Sequence, residues 1–176
     1  MREEKDLRLF FALWPTEAVR RNLQRAAETI ELPTGARRVP AANLHITLHF
    51  IGNVERRELA CLTRQAREVN ARRFEIIVDR VDCFDKPRVG WLGLRRLPEP
   101  LSKLHLALGS QLGNCGFVPE DRPYRPHVTI LRKHRGPVAS TDFEPIAWSV
   151  DDFALVESRS SENGVQYRVL ETFPLT

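Results

Sequence analysis

The chain has 176 residues, 42% of them hydrophobic and 28% charged, the make-up of an ordinary globular protein with room for one core. Its 27 basic residues outnumber 23 acidic ones, and 23 of the 27 are arginine, which suits bidentate phosphate contact and stacking on bases. That excess permits a nucleic-acid partner without establishing one, and no apolar run is long enough to span a bilayer.

The opening Met1-Arg2-Glu3-Glu4-Lys5-Asp6 mixes both charge signs, which does not read as a signal peptide. Leu7 to Leu13 reads as a strand ended by Trp14-Pro15. Thr16 is an N-cap candidate for a helix to about Ile30, with Val19, Leu23, Ala26, Ala27 and Ile30 on one face. Pro33-Thr34-Gly35 closes it, and Leu44 to Ile51 forms a second strand turned by Gly52-Asn53. A helix over about Arg56 to Asn70 follows, carrying Leu59, Leu62, Ala66 and Val69. Strands over Phe74 to Val81 and Val89 to Leu94 flank a turn at Asp85-Lys86-Pro87. Leu101, Leu104, Leu108 and Leu112 mark a third helix from about Pro98 to Leu112. A Pro-, Asp- and Arg-rich loop leads to a strand from His127 to about Arg132. Two last strands, Trp148 to Val156 and Val165 to Thr172, meet at an Asn163-Gly164 hairpin turn.

Two strings carry the chemistry: His45-Ile46-Thr47-Leu48 and His127-Val128-Thr129-Ile130. Side chains alternate along a strand, so each His shares a face with its Thr, while the aliphatic residues turn to a core. Each string follows a predicted helix end by about fourteen residues, and the two histidines stand 82 positions apart, near half the chain. This echo suggests a duplicated unit of two pseudo-symmetric lobes within one domain over 1–176, both lobes facing a central cleft.

Two imidazoles can hold opposite roles in one step, one as acid and one as base, near neutral pH. Two hydroxyls can donate to the non-bridging oxygens of a phosphate held between them. That is the equipment for cleaving a phosphodiester. His49 shares the nominal face of His45 and is expected at the rim. His105 is expected to pack, partly buried, among the leucines of its helix, and His134 to lie in a solvated basic turn. The histidine and cysteine spacings fit none of the common zinc patterns, so no metal and no cofactor is expected. Cys61, Cys83 and Cys115 are odd in number and widely spaced, which predicts incidental reduced thiols in a cytoplasmic protein.

At these residues the chain resembles the two-histidine phosphoesterase superfamily, in particular the RNA 2′,3′-cyclic phosphodiesterases also labelled 2′-5′ RNA ligases. The resemblance runs over nearly the whole chain. It includes Arg8-Leu9-Phe10-Phe11-Ala12-Leu13-Trp14-Pro15, Val39-Pro40 with Asn43 to Leu48, Phe50 and Gly52. It continues with Trp91-Leu92-Gly93, Tyr124-Arg125-Pro126-His127-Val128-Thr129-Ile130, Arg132 and Tyr167-Arg168-Val169-Leu170.

The resemblance implies an α+β fold, bilobal and duplicated, with antiparallel sheets around a cleft and helices on the outer faces. It implies hydrolysis of a terminal 2′,3′-cyclic phosphate of RNA to a 2′-phosphate, or joining of tRNA halves through a 2′-5′ link. Carried over residue by residue, it gives the acid and base roles to His45 and His127, with Thr47 and Thr129 holding the phosphate. We take His45 as the proton donor and His127 as the proton acceptor, a choice that the near-symmetric motifs leave open. It also puts Phe50 and Arg132 beside the terminal nucleobase. Strand parity opposes that last role, since an offset of five turns each residue away from its His unless the strand bulges or ends first. Phosphodiesterases for other nucleotides, and a non-catalytic module binding RNA ends, are the alternatives. Nothing in the chain calls for more than a monomer.

Overall fold

The computed structural model describes residues 6–139, 141–162 and 164–176. The first strand, β1 (Leu7–Leu13), is buried on both faces: Leu7, Leu9, Phe11 and Leu13 enter the main core, Phe10 and Ala12 a smaller cluster opposite. Helix α1 (Glu17–Thr29) starts where the Thr16 hydroxyl accepts from the Val19 amide at 3.4 Å. It buries Val19, Leu23, Ala26 and Ala27, the face its spacing predicts.

A two-residue strand, β2 (Arg37–Arg38), and a 3-10 turn (Ala41–Asn43) lead into β3 (Ile46–Val54). The expected strand over Leu44 to Ile51 thus begins and ends later. The expected helix over Arg56 to Asn70 is shorter: a 3-10 turn (Arg56–Glu58) with a reciprocal Glu55–Glu58 capping box opens α2 (Leu59–Arg67).

Two expected strands are each two strands in fact. Phe74 to Val81 divides at Asp79 into β4 (Phe74–Val78) and β5 (Arg80–Phe84). After β6 (Val89–Gly93), α3 (Glu99–Gly113) and β7 (His127–Arg132), the tail divides at Asp151 into β8 (Ile146–Val150) and β9 (Asp152–Ser161). Among the described residues, strands β4 and β8 pair only with each other, from Phe74↔Val150 to Val78↔Ile146. On passing Asp79 or Asp151 the chain changes sheets, so β5 pairs with β6 and β9 with β1.

The last strand, β10 (Gly164–Pro174), runs antiparallel to β9; Asn163 of the expected turn lies outside the described residues. The main sheet has the order β10-β9-β1-β3-β7-β6-β5, antiparallel throughout, with β2 also paired to β7. One face carries the principal core, to which the inner faces of all three helices contribute. The architecture is α+β with antiparallel sheets, as expected.

The expectation of three reduced thiols is overturned. Cys61 on α2 and Cys115 just beyond α3 form a disulfide across 54 positions, with their Cα atoms 5.9 Å apart, and Cys83 is free. The cysteines are distant in sequence but α2 packs on α3, which brings them together. Among the described residues no helix is long and apolar enough to cross a membrane.

Candidate active site

Strands β3 and β7 meet at one bridge, Ile46↔Val128. Both residues are fully buried on the core side, so their neighbours in sequence turn to the opposite face. An antiparallel register through that bridge sets His45 beside Thr129 and Thr47 beside His127. Two imidazoles and two hydroxyls thus share one face of the sheet at its centre.

Each imidazole is anchored in the same manner. His45 Nδ1 lies 2.8 Å from the Asn43 carbonyl and His127 Nδ1 2.7 Å from the Arg125 carbonyl. A carbonyl only accepts, so each ring donates Nδ1–H to the residue two positions before it, leaving Nε2 for other partners. His45 Nε2 accepts from the Thr47 hydroxyl at 3.0 Å in the neutral ring.

Aromatic rings fix the imidazole planes. Trp14 stacks on His45 at 5.6 Å, with Phe10 at 4.9 Å and Tyr167 edge-on at 5.2 Å. Phe84 meets His127 edge-on at 5.2 Å, with Trp91 at 5.9 Å. This apolar packing disfavours charge on the rings. Burial holds His45 down to about 4, against the raising effect of its Asn43 bond, and the charges of His127 and Arg132 lower it further. Burial also lowers His127, with Arg122 and Arg132 adding to the effect.

Beyond each motif the strand bulges at the same point. In β3 the pairing with β1 slips between Thr47 and His49; in β7 the pairing with β6 slips between Thr129 and Leu131. Leu48 and His49 are both buried as a result, as are Ile130 and Leu131. The next residues, Phe50 and Arg132, are exposed on the histidine side, and the Phe50 ring lies 5.7 Å from Phe10. The parity objection to both residues therefore falls, because each strand contains the extra residue that reverses its faces. As the strands are antiparallel, Phe50 and Arg132 frame the cluster from opposite ends.

A family model described as the 2'-5' RNA ligase superfamily matches residues 15–162. The chain belongs to that superfamily. A curated relative, the RNA 2',3'-cyclic phosphodiesterase of Escherichia coli strain K12, is 32% identical over 171 residues, covering 96% of this chain and 97% of the relative. The protein of the same description from Thermus thermophilus is 31% identical over 184 residues, covering 96% and 90%. Among solved structures, E. coli LigT in its apo form superposes with a TM-score of 0.86 at 29% identity, covering 98% and 99%.

Within this superfamily member the remaining histidines do other work. His49, expected at the rim, is instead 5% exposed, because the Leu48–His49 bulge turns it inward. Its Nε2 donates to the His105 carbonyl at 2.8 Å, and its ring packs so tightly on Gly109 that any Cβ there would sit 3.1 Å from it. His105 is half-buried, as expected, stacked between His49 at 4.1 Å and Tyr124 at 3.9 Å. His134, expected in a solvated turn, is 3% exposed, with Nδ1 bonded to the Gly136 carbonyl at 2.8 Å. It is a turn-closing residue, not a solvated one.

Tyr124 is the residue that strand periodicity could not find. Its hydroxyl donates to the Thr47 carbonyl at 3.0 Å, tying the loop ahead of His127 to the backbone of the other motif. A loop residue's partner 77 positions away leaves no periodic trace in sequence. Among the described residues no three His, Cys, Asp or Glu side chains gather as a metal site.

Proposed function

We propose that this protein is an RNA 2′,3′-cyclic phosphodiesterase in which both imidazoles act on one phosphate. The observation that carries the reading is the pairing of the two His-x-Thr strands through Ile46↔Val128, with both Nδ1 atoms committed to backbone carbonyls. Relatives of that description about 30% identical over nearly the full chain support it. So does the register echo between the β1–β3 and β6–β7 pairs, which we take as two pseudo-symmetric lobes of one domain.

In the proposed step, Thr47 and Thr129 donate to the non-bridging oxygens of the cyclic phosphate. His127 Nε2 takes a proton from water as its oxygen attacks phosphorus. The P–O3′ bond breaks, and His45 gives its proton to O3′, leaving a 2′-phosphate. Neutral His45 has no proton on Nε2, so this assignment requires the bound anion to favour the protonated ring, which the negative charge of the phosphate does. Phe50 and Arg132 border the terminal nucleoside from either end, and the enzyme works as a monomer.

Ligation, the activity in the family model's description, is the same transfer with a 5′-hydroxyl in place of water. Mass spectrometry of a short RNA bearing a 2′,3′-cyclic end tests the reading. Addition of one water with a 2′-phosphate product is the expected result; a longer RNA identifies a ligase, and an unchanged RNA overturns catalysis in favour of binding. A substrate whose 3′-leaving group needs no proton separates the histidines. It should rescue His45→Ala and leave His127→Ala slow.

A further inference from the structure

Strand β2 consists of two arginines, and its register divides their roles. Arg38 lies opposite Leu131, which is fully buried, and its guanidinium reaches the core-side helix, donating to the carbonyls of Ala27 and, at 2.7 Å, Ile30. These are carbonyls at the C-terminal end of α1, where a cation is favoured. Arg37 must then point to the other face.

Arg37 lies directly opposite Arg132, the residue that the β7 bulge turns toward the histidines. Residues directly opposite in an antiparallel pair share a face, so two exposed guanidinium groups stand side by side on the cleft side. Like charges in that position destabilise a sheet pair. Among the described residues, no carboxylate forms an ion pair with either group, and neither side chain donates a hydrogen bond. An anion seated between them relieves the repulsion and satisfies two planar forks.

The position defines which anion. Thr129 pairs with Trp91 and Arg132 with Val89, so across the bulge Arg132 stands two register places, about 7 Å, beyond Thr129, and the Arg37–Arg132 pair lies at the outer end of the phosphate cluster. It lies at the end of the cluster opposite Phe50. A polynucleotide whose terminal phosphate sits between the histidines, with its base toward Phe50, has another phosphate in its backbone to offer there. We propose that Arg37, with Arg132, forms a second phosphate subsite for the phosphodiester on the 5′ side of the terminal nucleotide. The subsite makes the protein favour RNA chains over free cyclic nucleotides. This rests on the proposed cyclic phosphodiesterase activity.

The test compares a tetranucleotide ending in a 2′,3′-cyclic phosphate with the corresponding mononucleoside 2′,3′-cyclic phosphate. The ratio of their kcat/KM values should fall about tenfold in Arg37→Ala and further in Arg37→Glu. The salt dependence of binding to the chain should weaken by about 0.7 in log–log slope, the loss of one single-strand phosphate contact. Arg64→Ala, an equal loss of charge on the exposed face of α2, should leave the ratio as it is. An unchanged ratio in Arg37→Ala, or an equal fall in Arg64→Ala, overturns the subsite. If the wild type hydrolyses neither substrate, the activity itself is wrong. Fluorescence anisotropy of the tetranucleotide 2′-phosphate against the nucleoside 2′-phosphate then decides the subsite alone: selective weakening in Arg37→Ala supports it, and equal affinity for wild type and variant overturns it.

Discussion

Phe50 and Arg132 occupy equivalent points on two different strands, each five residues after a motif histidine and each just beyond a two-residue bulge. One side chain is aromatic and can stack on a nucleobase, and the other is a planar cation suited to a phosphate at the opposite end of the cluster. The equivalence is one of register, not of sequence, since the bulge residues are Leu48-His49 in one strand and Ile130-Leu131 in the other.

Phe50 is 53% exposed, so its truncation should cost little stability. Stacking of a base on an aromatic ring is worth about 1–3 kcal/mol. Phe50→Ala should therefore raise KM for a cyclic-ended RNA by about tenfold or more, and Phe50→Trp should restore it. Steady-state kinetics on both variants check this.

The pH dependence follows from the burial of both rings. The productive free enzyme has one imidazole charged and one neutral, a state most populated between their two pKa values. Both lie below the ordinary histidine value of 6.5, His45 at about 4. The kcat/KM optimum should therefore fall on the acid side of 6.5, declining as pH rises and the acid loses its proton. In the complex the phosphate raises the acid's pKa, so kcat should hold to higher pH. Arg132→Ala removes a charge that lowers both rings and should move the kcat/KM optimum upward. A pH series of initial rates measures all three; an optimum in kcat/KM above the ordinary histidine range contradicts the account.

Much of the molecule is legible in the chain. Leu101, Leu104, Leu108 and Leu112 announce α3, and Val19, Leu23, Ala26 and Ala27 announce α1, because burial of one helix face writes a 3.6-residue period. The His-x-Thr strings announce their strands through a period of two. What escapes is whatever depends on a break in period. The bulges add one residue without a Gly or Pro to mark them, so parity gives His49 the wrong face and raises a spurious objection to Phe50. The changes of sheet at Asp79 and Asp151 fall within continuous apolar alternation, which a local pattern reads as one strand. Arg37 and Arg38 form too short a strand to leave any pattern.

Tyr124→Phe removes only the hydroxyl that holds the Thr47 carbonyl and keeps the stack on His105. The loss should be about 1 kcal/mol of stability. Because the bond ties the two motifs together, kcat should fall severalfold while KM changes little. Chemical denaturation and steady-state kinetics on the one variant read both effects.

The Cys61–Cys115 disulfide closes a long loop between α2 and the end of α3, on the core side and apart from the motif histidines. Its removal in Cys61→Ser should cost about 2–4 kcal/mol, chiefly by freeing the unfolded chain. The rate constant kcat should be unaltered at temperatures where the variant is folded. Denaturant melts of the variant, and of the wild type with and without reductant, measure the loss.

The most direct measurement is single-turnover hydrolysis of a cyclic-ended RNA by His45→Ala and His127→Ala, with folding of each confirmed by circular dichroism. Loss of a general acid or base costs about 10²–10⁴ in rate, and each variant should lose that much on the same phosphate. If either variant stays folded and retains the wild-type rate, one imidazole suffices, and the account of two rings serving one phosphorus is wrong.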